Sequence, residues 1–386
     1  MPEIYLDNSA TTRVRPEVVA AMVRVMEEDY GNPSSVHRRG QAAEQAVKAA
    51  RRAVAEVLAV SPEEIVFTSG GTEANNLAIL GLARARARQG RHLITTAAEH
   101  HSVLEAFHRL ENEGFQVTYL PVDREGLPDL HALAEALSPE TILVSTMHVN
   151  NEVGAVTPLE EIAQLLNQRK PRPAWHVDAV QGFARLPLLP YRLGIDLVSL
   201  SAHKIRGPKG VGALFVRRGT RLQPQLLGGG QEAGLRSGTE NVPGIVGLGV
   251  AARLAWEERA EAVAHMSKLK ARLRDRILAE IPDTVANGPK ERGAPHILNI
   301  SFGGLRGEVL LHALEERGIY VSTGSACSSH HAPGSHVLAA MRLPPALRDG
   351  AIRFSLAPTN TEEEIDYTVE CLKEIVPELR AVMRRR

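Results

Sequence analysis

The hydrophobic positions of the chain follow two alternating patterns. Short apolar stretches rich in β-branched residues predict strands, and longer stretches with apolar residues three or four positions apart predict helices. Several strand candidates are apolar at consecutive positions, as is typical of strands buried on both faces of a sheet. The strand candidates are IVFTS (65–69), HLITT (92–96), VTYLPV (117–122), TILVSTMHV (141–149), AWHVDAV (174–180), DLVSLSA (196–202) and GALFV (212–216).

Helical patterns fill the intervals between these strands. One runs through Val47, Ala50, Val54 and Leu58, and another over residues 72–82 begins just after a Gly-Gly turn. The alternation predicts an α/β fold with a mostly parallel central sheet and helices on both faces. Near residue 255 a long charged amphipathic helix begins, followed by a strand at HILNISF (296–302) and further α+β elements.

This change in the pattern of predicted elements divides the chain into three predicted parts. An N-terminal arm over residues 1–15 joins the smaller domain, a large domain occupies residues 16–255, and a small C-terminal α+β domain occupies residues 256–386. A chain of 386 residues is longer than one core normally grows, which fits two domains of unequal size.

Charge and cysteine content narrow the classes of partner. Lys plus Arg and Asp plus Glu number 45 each, so no net charge attracts nucleic acid or an anionic membrane. Small-molecule or protein partners are therefore expected. Two cysteines without disulfide-framework spacing predict free thiols in a reducing cytosol. The N-terminal stretch MPEIYLDNSATTR has no signal-peptide pattern, so we expect a cytoplasmic protein.

Candidate chemistry begins at the ends of the predicted strands, where open α/β sheets bind ligands. In TSGGTEANN (68–76) a strand runs into two glycines and then Thr72 at a helix start. Backbone N–H groups there can approach a phosphate, and the helix dipole favours its charge. An ordinary turn followed by a helix cap explains the same residues.

Two charged side chains follow other strands. Asp178, in HVDAVQG, needs a partner if it is buried, and the protonated ring nitrogen of a cofactor would supply one. The alternative is that Asp178 caps the next helix. Lys204, in SLSAHKIRGPKG, is placed to act as an amine nucleophile of the Schiff-base type, whereas Lys209 is interpreted as a surface lysine.

A reactive thiol is predicted in VSTGSACSSHHAPGSH (321–336). Cys327 lies among small residues with histidines nearby, and a neighbouring imidazole favours the thiolate. Cys371, in YTVECLKEIV, has helical apolar neighbours and is predicted to be a core residue. The spacing of Cys327, His330 and His331 also allows metal binding, but one short loop without a second ligand pair disfavours it, and no metal is predicted.

Taken together, these motifs resemble cysteine desulfurases of the NifS/IscS type, which are fold-type-I enzymes dependent on pyridoxal 5′-phosphate (PLP) and belong to the class-V aminotransferase family. The likeness runs nearly end to end. It is carried by YLDNSATT (5–12), GNPSSVH (31–37), MHVNNEVG (147–154), SAHKIRGPKG (201–210), RSGTENVPG (236–244), TGSAC (323–327) and IRFSLAPTNTEEEIDYT (352–368).

The resemblance implies a role for each residue that matches the family's motifs. Lys204 binds PLP covalently and moves the substrate Cα proton, Asp178 pairs with the ring nitrogen, and Gln181 binds the ring hydroxyl. His100 stacks over the ring and takes part in proton transfer. The remaining implied roles are phosphate binding by Gly71, Thr72, Ser201 and His203, with Thr239 reaching in from a second subunit, and binding of substrate and cofactor groups by Asn151 and Arg353.

The implied reaction removes sulfur from L-cysteine, leaving L-alanine and a persulfide on Cys327. The implied partners are a second copy of the chain and a sulfur-acceptor protein such as an iron–sulfur scaffold. Two alternatives keep the same fold. One is a selenocysteine lyase or another fold-type-I activity such as an aminotransferase, and the other is a catalytically idle sulfur-relay or scaffold partner.

Overall fold

The fold is described from a computed structural model that covers residues 3–291, 293–324 and 334–383. The predicted Cys327, His330 and His331 lie outside these residues. The strands are β1 (Ile4–Tyr5), β2 (Ile65–Thr68), β3 (His92–Thr96), β4 (Gln116–Leu120), β5 (Thr141–Met147), β6 (Ala174–Asp178), β7 (Leu197–Ser201), β8 (Gly212–Val216), β9 (Thr284–Asn287), β10 (Ile297–Phe302), β11 (Ile319–Tyr320) and β12 (Ala351–Ser355).

The helices alternate with these strands through most of the chain. Their bounds are α1 (Pro16–Glu27), α2 (Arg38–Leu58), α3 (Gly71–Arg86), α4 (His101–Asn112), α5 (Leu130–Ala136), α6 (Leu159–Asn167), α7 (Pro190–Leu193), α8 (Val242–Glu257), α9 (Arg259–Glu280), α10 (Gly307–Glu315), α11 (His336–Ala340), α12 (Pro345–Asp349) and α13 (Glu362–Met383). Each predicted strand from IVFTS to GALFV lies on an observed strand, and the predicted helices lie within α2, α3 and α9.

The central sheet has the order β2-β8-β7-β6-β5-β3-β4 among the described residues. The strands from β7 to β4 run parallel, which confirms the mostly parallel α/β fold. Strand β8 runs antiparallel to both of its neighbours. The connection from β7 to β8 spans only residues 202–211, which is too short for the crossover that a parallel pair requires.

Separate apolar cores lie on the two faces of this sheet. One includes α2, α6 and α8, with buried residues such as Val54, Phe183 and Leu248. The other includes α3 and α4, with Leu82, Phe107 and Leu110. Because both faces are covered, the strand residues are buried on consecutive positions, as the sequence pattern predicted.

A smaller antiparallel sheet has the order β12-β10-β9. Its core includes Met266, Leu269, Leu273 and Ile277, the apolar stripe of α9, together with the buried Cys371 of α13. Alternation along β12 directs Ile352 and Phe354 into this core and leaves Arg353 for the opposite face. The predicted domain boundary near residue 255 stays a prediction, and in sequence it falls close to the junction of α8 and α9.

The N-terminal arm connects distant parts of the chain. Strand β1 pairs with β11, and Asp7 bridges to Ser355 beside β12. The backbone N–H of Thr12 donates to the carbonyl of His203, just after β7. No helix within the described residues is both long and apolar enough to cross a membrane.

Candidate active site

A cavity of about 270 Å³ opens where strands β5, β6 and β7 end. Strand β2 runs in the same direction as β7, so the helix that follows it, α3, also begins at this edge. The cavity brings together most of the site residues predicted from the sequence. They are Gly71, Thr72, His100, Asn151, Asp178, Gln181, Ser201, His203, Lys204 and Arg353.

Lys204 lies just after β7, in a short helical turn over Ala202–Lys204. Its Nζ donates to the carbonyl oxygens of Ser9 at 2.5 Å and Ala10 at 2.8 Å. The arm therefore supplies two acceptors for the Lys204 amine. Deep in the fold, the Arg185 guanidinium donates to the Lys204 carbonyl, and burial lowers the pKa of Arg185 to about 10.

Asp178 is the last residue of β6 and its side chain is buried. Its Oδ2 accepts a hydrogen bond from Asn75 Nδ2 at 2.8 Å, and its Oδ1 accepts from the Val180 N–H at 3.0 Å. The carboxylate is thus held by neutral donors. These hydrogen bonds leave Asp178 without a cationic side-chain partner among its described hydrogen bonds and ion pairs, which suits a group that pairs with a ligand cation.

A hydrogen-bond chain connects Asp178 to His100. Asn75 also donates to Ser102 Oγ at 2.8 Å, and Ser102 Oγ lies 2.8 Å from His100 Nδ1. The Ser102 N–H donates to the same nitrogen at 3.1 Å, so His100 caps α4. Because Nδ1 accepts, a neutral His100 carries its ring proton on Nε2. Burial lowers the pKa of His100. The charge of Asp178 raises this pKa, and the charge of Lys204 lowers it.

The start of α3 forms a narrow cradle beside β7. A Cβ atom on Gly71 would come within 2.7 Å of Val180 Cγ2, so only glycine lets the backbone lie this close. Thr72 follows at the helix N-terminus, and Ser201 and His203 line the same cavity. Burial, with help from Lys204 and Lys209, lowers the pKa of His203 to about 4 and keeps its ring neutral near pH 7.

Gln181 lies between the arm and the small sheet. Its Nε2 donates to the Ser9 carbonyl at 3.0 Å, and its Oε1 lies 3.3 Å from His296 Nε2. The carbonyl of Gln181 accepts from Arg185 at 3.1 Å. Gln181 is therefore fixed at its side chain and its backbone.

Arg353 reaches the cavity from β12. One terminal nitrogen, Nη2, donates to Asp7 Oδ1 at 2.8 Å, and the other, Nη1, donates to the Asn151 carbonyl at 3.0 Å. Only 4 % of its surface is exposed, and its Nε has no hydrogen-bond partner. A guanidinium in this state can offer donors to a substrate carboxylate.

One predicted site residue that the structure describes, Thr239, is not in this cavity. Thr239 is exposed and lines a separate groove with Met26, Tyr30 and Asn32. Cys327 is outside the described residues, but Gly324 before it and His336 after it both line the cavity.

Sequence reasoning missed several groups that shape the site. Asn75 and Glu152 lie in motifs recognised from the sequence, but no role was predicted for either. No sequence signal distinguished Asn75, which lies near Glu73 and Asn76 in the sequence but is only 1 % exposed in the fold. The Ser9 and Ala10 acceptors are backbone carbonyls, so the side chains at these positions could not predict their role.

These residues fit PLP. The Gly71 cradle and the unpaired N–H groups at the start of α3 suit a phosphate, and the buried Asp178 carboxylate suits a protonated ring nitrogen. Ser9 Oγ, which lines the same cavity, is buried without a hydrogen-bond partner. The donor set therefore matches a phosphorylated pyridine better than a metal ion, and the described residues contain no cluster of metal ligands.

Comparison with known proteins identifies the family. The class-V aminotransferase family matches residues 4–368. A protein named cysteine desulfurase IscS from Dictyoglomus turgidum is 44% identical over 380 residues, which cover 98% of this chain and 96% of that protein.

Solved structures agree with the sequence match. A NifS-like protein has a TM-score of 0.93 at 42% identity, covering 98% of this chain and all of the other. SspA in complex with cysteine has a TM-score of 0.81 at 36% identity, covering 93% of this chain and all of the other. The chain therefore belongs to the class-V aminotransferase family, with the fold of its NifS-like members.

Proposed function

We propose that this protein is a PLP-dependent cysteine desulfurase that converts L-cysteine to L-alanine and transfers the sulfur to Cys327. One observation carries the proposal. A single cavity contains an amine at Lys204, a buried carboxylate at Asp178 and a forked guanidinium at Arg353. The cysteine desulfurase relatives and the cysteine complex of SspA support L-cysteine as the substrate.

Each side chain in the cavity would have a separate role in the proposed reaction. Lys204 would hold PLP covalently and afterwards move the substrate Cα proton with its Nζ. Asp178 would bind the ring nitrogen, Gln181 the ring hydroxyl, and Arg353 the substrate carboxylate. When bound, PLP supplies an electron sink for the pair released at Cα. His100, neutral because of its burial, would cover the ring and exchange a proton through Nε2.

Phosphate binding would use Gly71, Thr72, Ser201 and His203. A neutral His203 can donate one hydrogen bond without adding charge. Asn151, whose carbonyl orients Arg353, would bind substrate and cofactor groups with its side chain.

The sulfur step balances without an external oxidant. The Cys327 thiolate attacks the substrate sulfur, an S–S bond forms, and the C–S bond breaks. The electron pair of that bond returns to the substrate carbon, which takes a proton and becomes the methyl group of alanine. The sulfur is oxidised to the sulfane state while the carbon is reduced, so cysteine plus thiol gives alanine plus persulfide.

The test is alanine formation by wild type and Cys327→Ala. The variant should still bind PLP and still change its absorbance when cysteine is added, because those steps do not use the thiol. It should form almost no alanine from cysteine. Selenocysteine should still yield alanine, because selenium leaves more easily. Wild-type alanine formation from cysteine in the variant would show that Cys327 is not the acceptor.

We also propose a homodimer in which Thr239 of the partner subunit completes each cavity. Within one chain Thr239 is exposed and lies outside the cavity, although it belongs to a segment resembling the family's interface. Exposed apolar side chains line the same groove as Thr239, including Met26 at 53% and Tyr30 at 68% exposure. A second copy would cover such a surface.

Mixing two inactive variants tests the dimer. In a mixed dimer of Lys204→Ala and Thr239→Glu, one of the two sites receives Lys204 and Thr239 in their native form. Activity should therefore return after reassociation, and each mixed dimer should have up to half the activity of a wild-type dimer. A fully active monomer in light scattering would contradict the dimer.

The acceptor is proposed to be a protein such as an iron–sulfur scaffold. Transfer through a free thiol requires a reducing compartment, so we propose a cytoplasmic location. Trapping the persulfide on Cys327 and incubating it with purified carriers would identify the acceptor by loss of the label. A persulfide that no protein carrier removes would contradict this assignment.

A further inference from the structure

Glu152 is a buried carboxyl group that the proposed reaction does not use. It lies on the loop after β5, beside Asn151, and only 3 % of its surface is exposed. It lines the same cavity as Lys204 and Arg353. A buried carboxyl group is costly unless its partners repay the loss of hydration, so its contacts indicate what it is for.

The first contact joins Glu152 to the segment after residue 333. Ser335 Oγ donates to Glu152 Oε2 and also accepts from the Leu338 N–H at 3.0 Å, which caps α11. Ser335 is itself 5 % exposed. The hydroxyl therefore connects the Glu152 carboxyl group directly to the start of a helix.

The second contact joins Glu152 to the segment before residue 325. Gly324 has a φ of +82°, and a Cβ atom there would lie 3.0 Å from Glu152 Oε2. The chain at Gly324 thus passes against the same oxygen that Ser335 binds. One carboxylate oxygen lies between the two chain segments.

The backbone of Glu152 is held from the opposite side. Its N–H donates to Asn150 Oδ1 at 2.9 Å, and its carbonyl accepts from Asn299 of β10 at 3.2 Å. The Glu152 backbone is therefore anchored to the loop after β5 and to β10 of the small sheet, and its side chain lies against Gly324 and Ser335.

We infer that Glu152 is a positioning residue that holds Gly324 and Ser335 together at the cavity edge and so sets the efficiency of sulfur transfer to the chain between them. The inference rests on the proposed desulfurase function. The residues that Glu152 contacts flank the predicted acceptor Cys327 in sequence, so a shift of either end would change the acceptor's approach to the substrate sulfur. Displacements of about 1 Å can slow an enzymatic step by about 10²-fold.

Burial raises the pKa of Glu152 to about 7, while the Ser335 hydrogen bond and the charge of Arg353 act in the opposite direction. The carboxyl group is therefore partly neutral near pH 7. The amide of Gln, which is neutral and has nearly the same shape, should accept the Ser335 hydrogen bond and keep the two segments together. Ala cannot do so.

The test separates two steps in the PLP-loaded enzyme. Rapid mixing with L-cysteine gives the rate of the absorbance change of the cofactor, and a quench at set times gives alanine and the persulfide on Cys327. Glu152→Ala should lower kcat for alanine by about 10–100-fold. The absorbance change and KM should stay within about threefold of wild type, and Glu152→Gln should restore most of the alanine rate.

Ser335→Ala and the double variant complete the design. If Glu152 acts through Ser335, the two losses will not add, and the double variant will resemble Glu152→Ala. Glu160→Ala, which removes an exposed carboxylate at the start of α6, serves as the matched control and should resemble wild type.

The outcomes distinguish the inference from the proposed function. If the wild-type enzyme forms no alanine from cysteine, the desulfurase proposal is wrong. If wild type forms alanine, equal alanine rates in wild type and Glu152→Ala overturn the inference. The inference is also overturned if Glu152→Gln forms alanine as slowly as Glu152→Ala does. A third contradicting result is that the absorbance change and alanine formation slow to the same extent in both variants.

Discussion

The floor and the rim of the cavity are built in opposite ways. The floor, defined as Asn75, His100, Ser102 and Asp178, is one hydrogen-bond chain that links α3, the start of α4 and the end of β6. The rim, defined as Asp7, Asn151, Glu152, Ser335 and Arg353, draws on the arm, a loop of the central sheet, α11 and the small sheet.

The difference lies in what holds each group. Floor residues lie at or near strand ends of the central sheet, and one neutral side chain and one backbone N–H donate to the one carboxylate. Rim residues meet because the arm, the loop after β5, α11 and the small sheet pack together, and two carboxyl groups there lie near one guanidinium. We infer that the floor supports cofactor chemistry, while the rim controls substrate binding and sulfur transfer.

The largest expected effect comes from the residue between floor and rim. Lys204→Ala removes the amine that the Ser9 and Ala10 carbonyls hold. Alanine formation should fall by about 10⁴-fold or more, because an essential nucleophile cannot be replaced by its neighbours. Borohydride reduction of wild type should leave a pyridoxyl group on Lys204. A label on Lys209 would overturn the assignment.

A rim substitution should affect substrate binding more than chemistry. Arg353→Lys replaces a fork that reaches both Asp7 and the Asn151 carbonyl by a single ammonium group. KM for cysteine should rise by about 10–100-fold with a smaller change in kcat, as expected for loss of charge-assisted hydrogen bonds. Arg306→Lys, at an exposed site, is the control. An unchanged KM would remove Arg353 from the substrate site.

A floor substitution should lower stability instead. Asn75→Ala leaves Asp178 and Ser102 without their shared donor, which should reduce the free energy of unfolding by about 1–3 kcal/mol in urea denaturation. Asn76→Ala, one position along, removes a partly exposed side chain that donates to the Thr72 carbonyl. Asn76→Ala should reduce the free energy of unfolding by less than Asn75→Ala does. Equal reductions at the two positions would contradict the role of the hydrogen-bond chain in the floor.

The last prediction concerns the pH dependence of stability that comes from a carboxyl group next to the floor. Burial raises the pKa of Glu99 from 4.5 to about 8, and the charge of Asp178 adds to the shift. The folded state therefore keeps this proton more tightly than the unfolded chain. Its stabilising contribution is complete below pH 4.5 and is lost as the pH rises toward 8.

Glu99→Gln removes this dependence. The unfolding free energy of the variant, relative to wild type, should increase with pH between about 5 and 8, by at most about 1.4 kcal/mol per pH unit. His148 and His176 have the opposite slope, because burial lowers their pKa values to about 4 and about 3. They are present in both proteins and cancel in the difference. A difference that is constant with pH would contradict the assignment.

The floor was more predictable from the sequence than the rim. Asp178 and Lys204 follow apolar strands, so the rule that parallel strands end at one edge was enough to group them. The strand HLITT was predicted at its observed bounds, 92–96, because its β-branched residues favour a strand.

The direction of β8 and the contacts of the rim required the structure. A strand's apolar pattern is the same in either direction, so GALFV did not reveal that β8 runs antiparallel. The hydrogen bond between Glu152 and Ser335 joins residues far apart in sequence, and neither residue type predicts the other. The contact exists only because the two segments pack at one cavity.

The arm gives the enzyme a dependence on complete synthesis. Ile4 and Tyr5 are synthesised long before their partners Ile319 and Tyr320. Until those partners are made, β1 has no strand to pair with, and the arm beside Lys204 is held by contacts such as those of Gln181 with Ser9 and of Thr12 with His203. A chain interrupted before β11 therefore lacks the strand that anchors the arm, and with it part of what positions the two acceptors of the Lys204 amine.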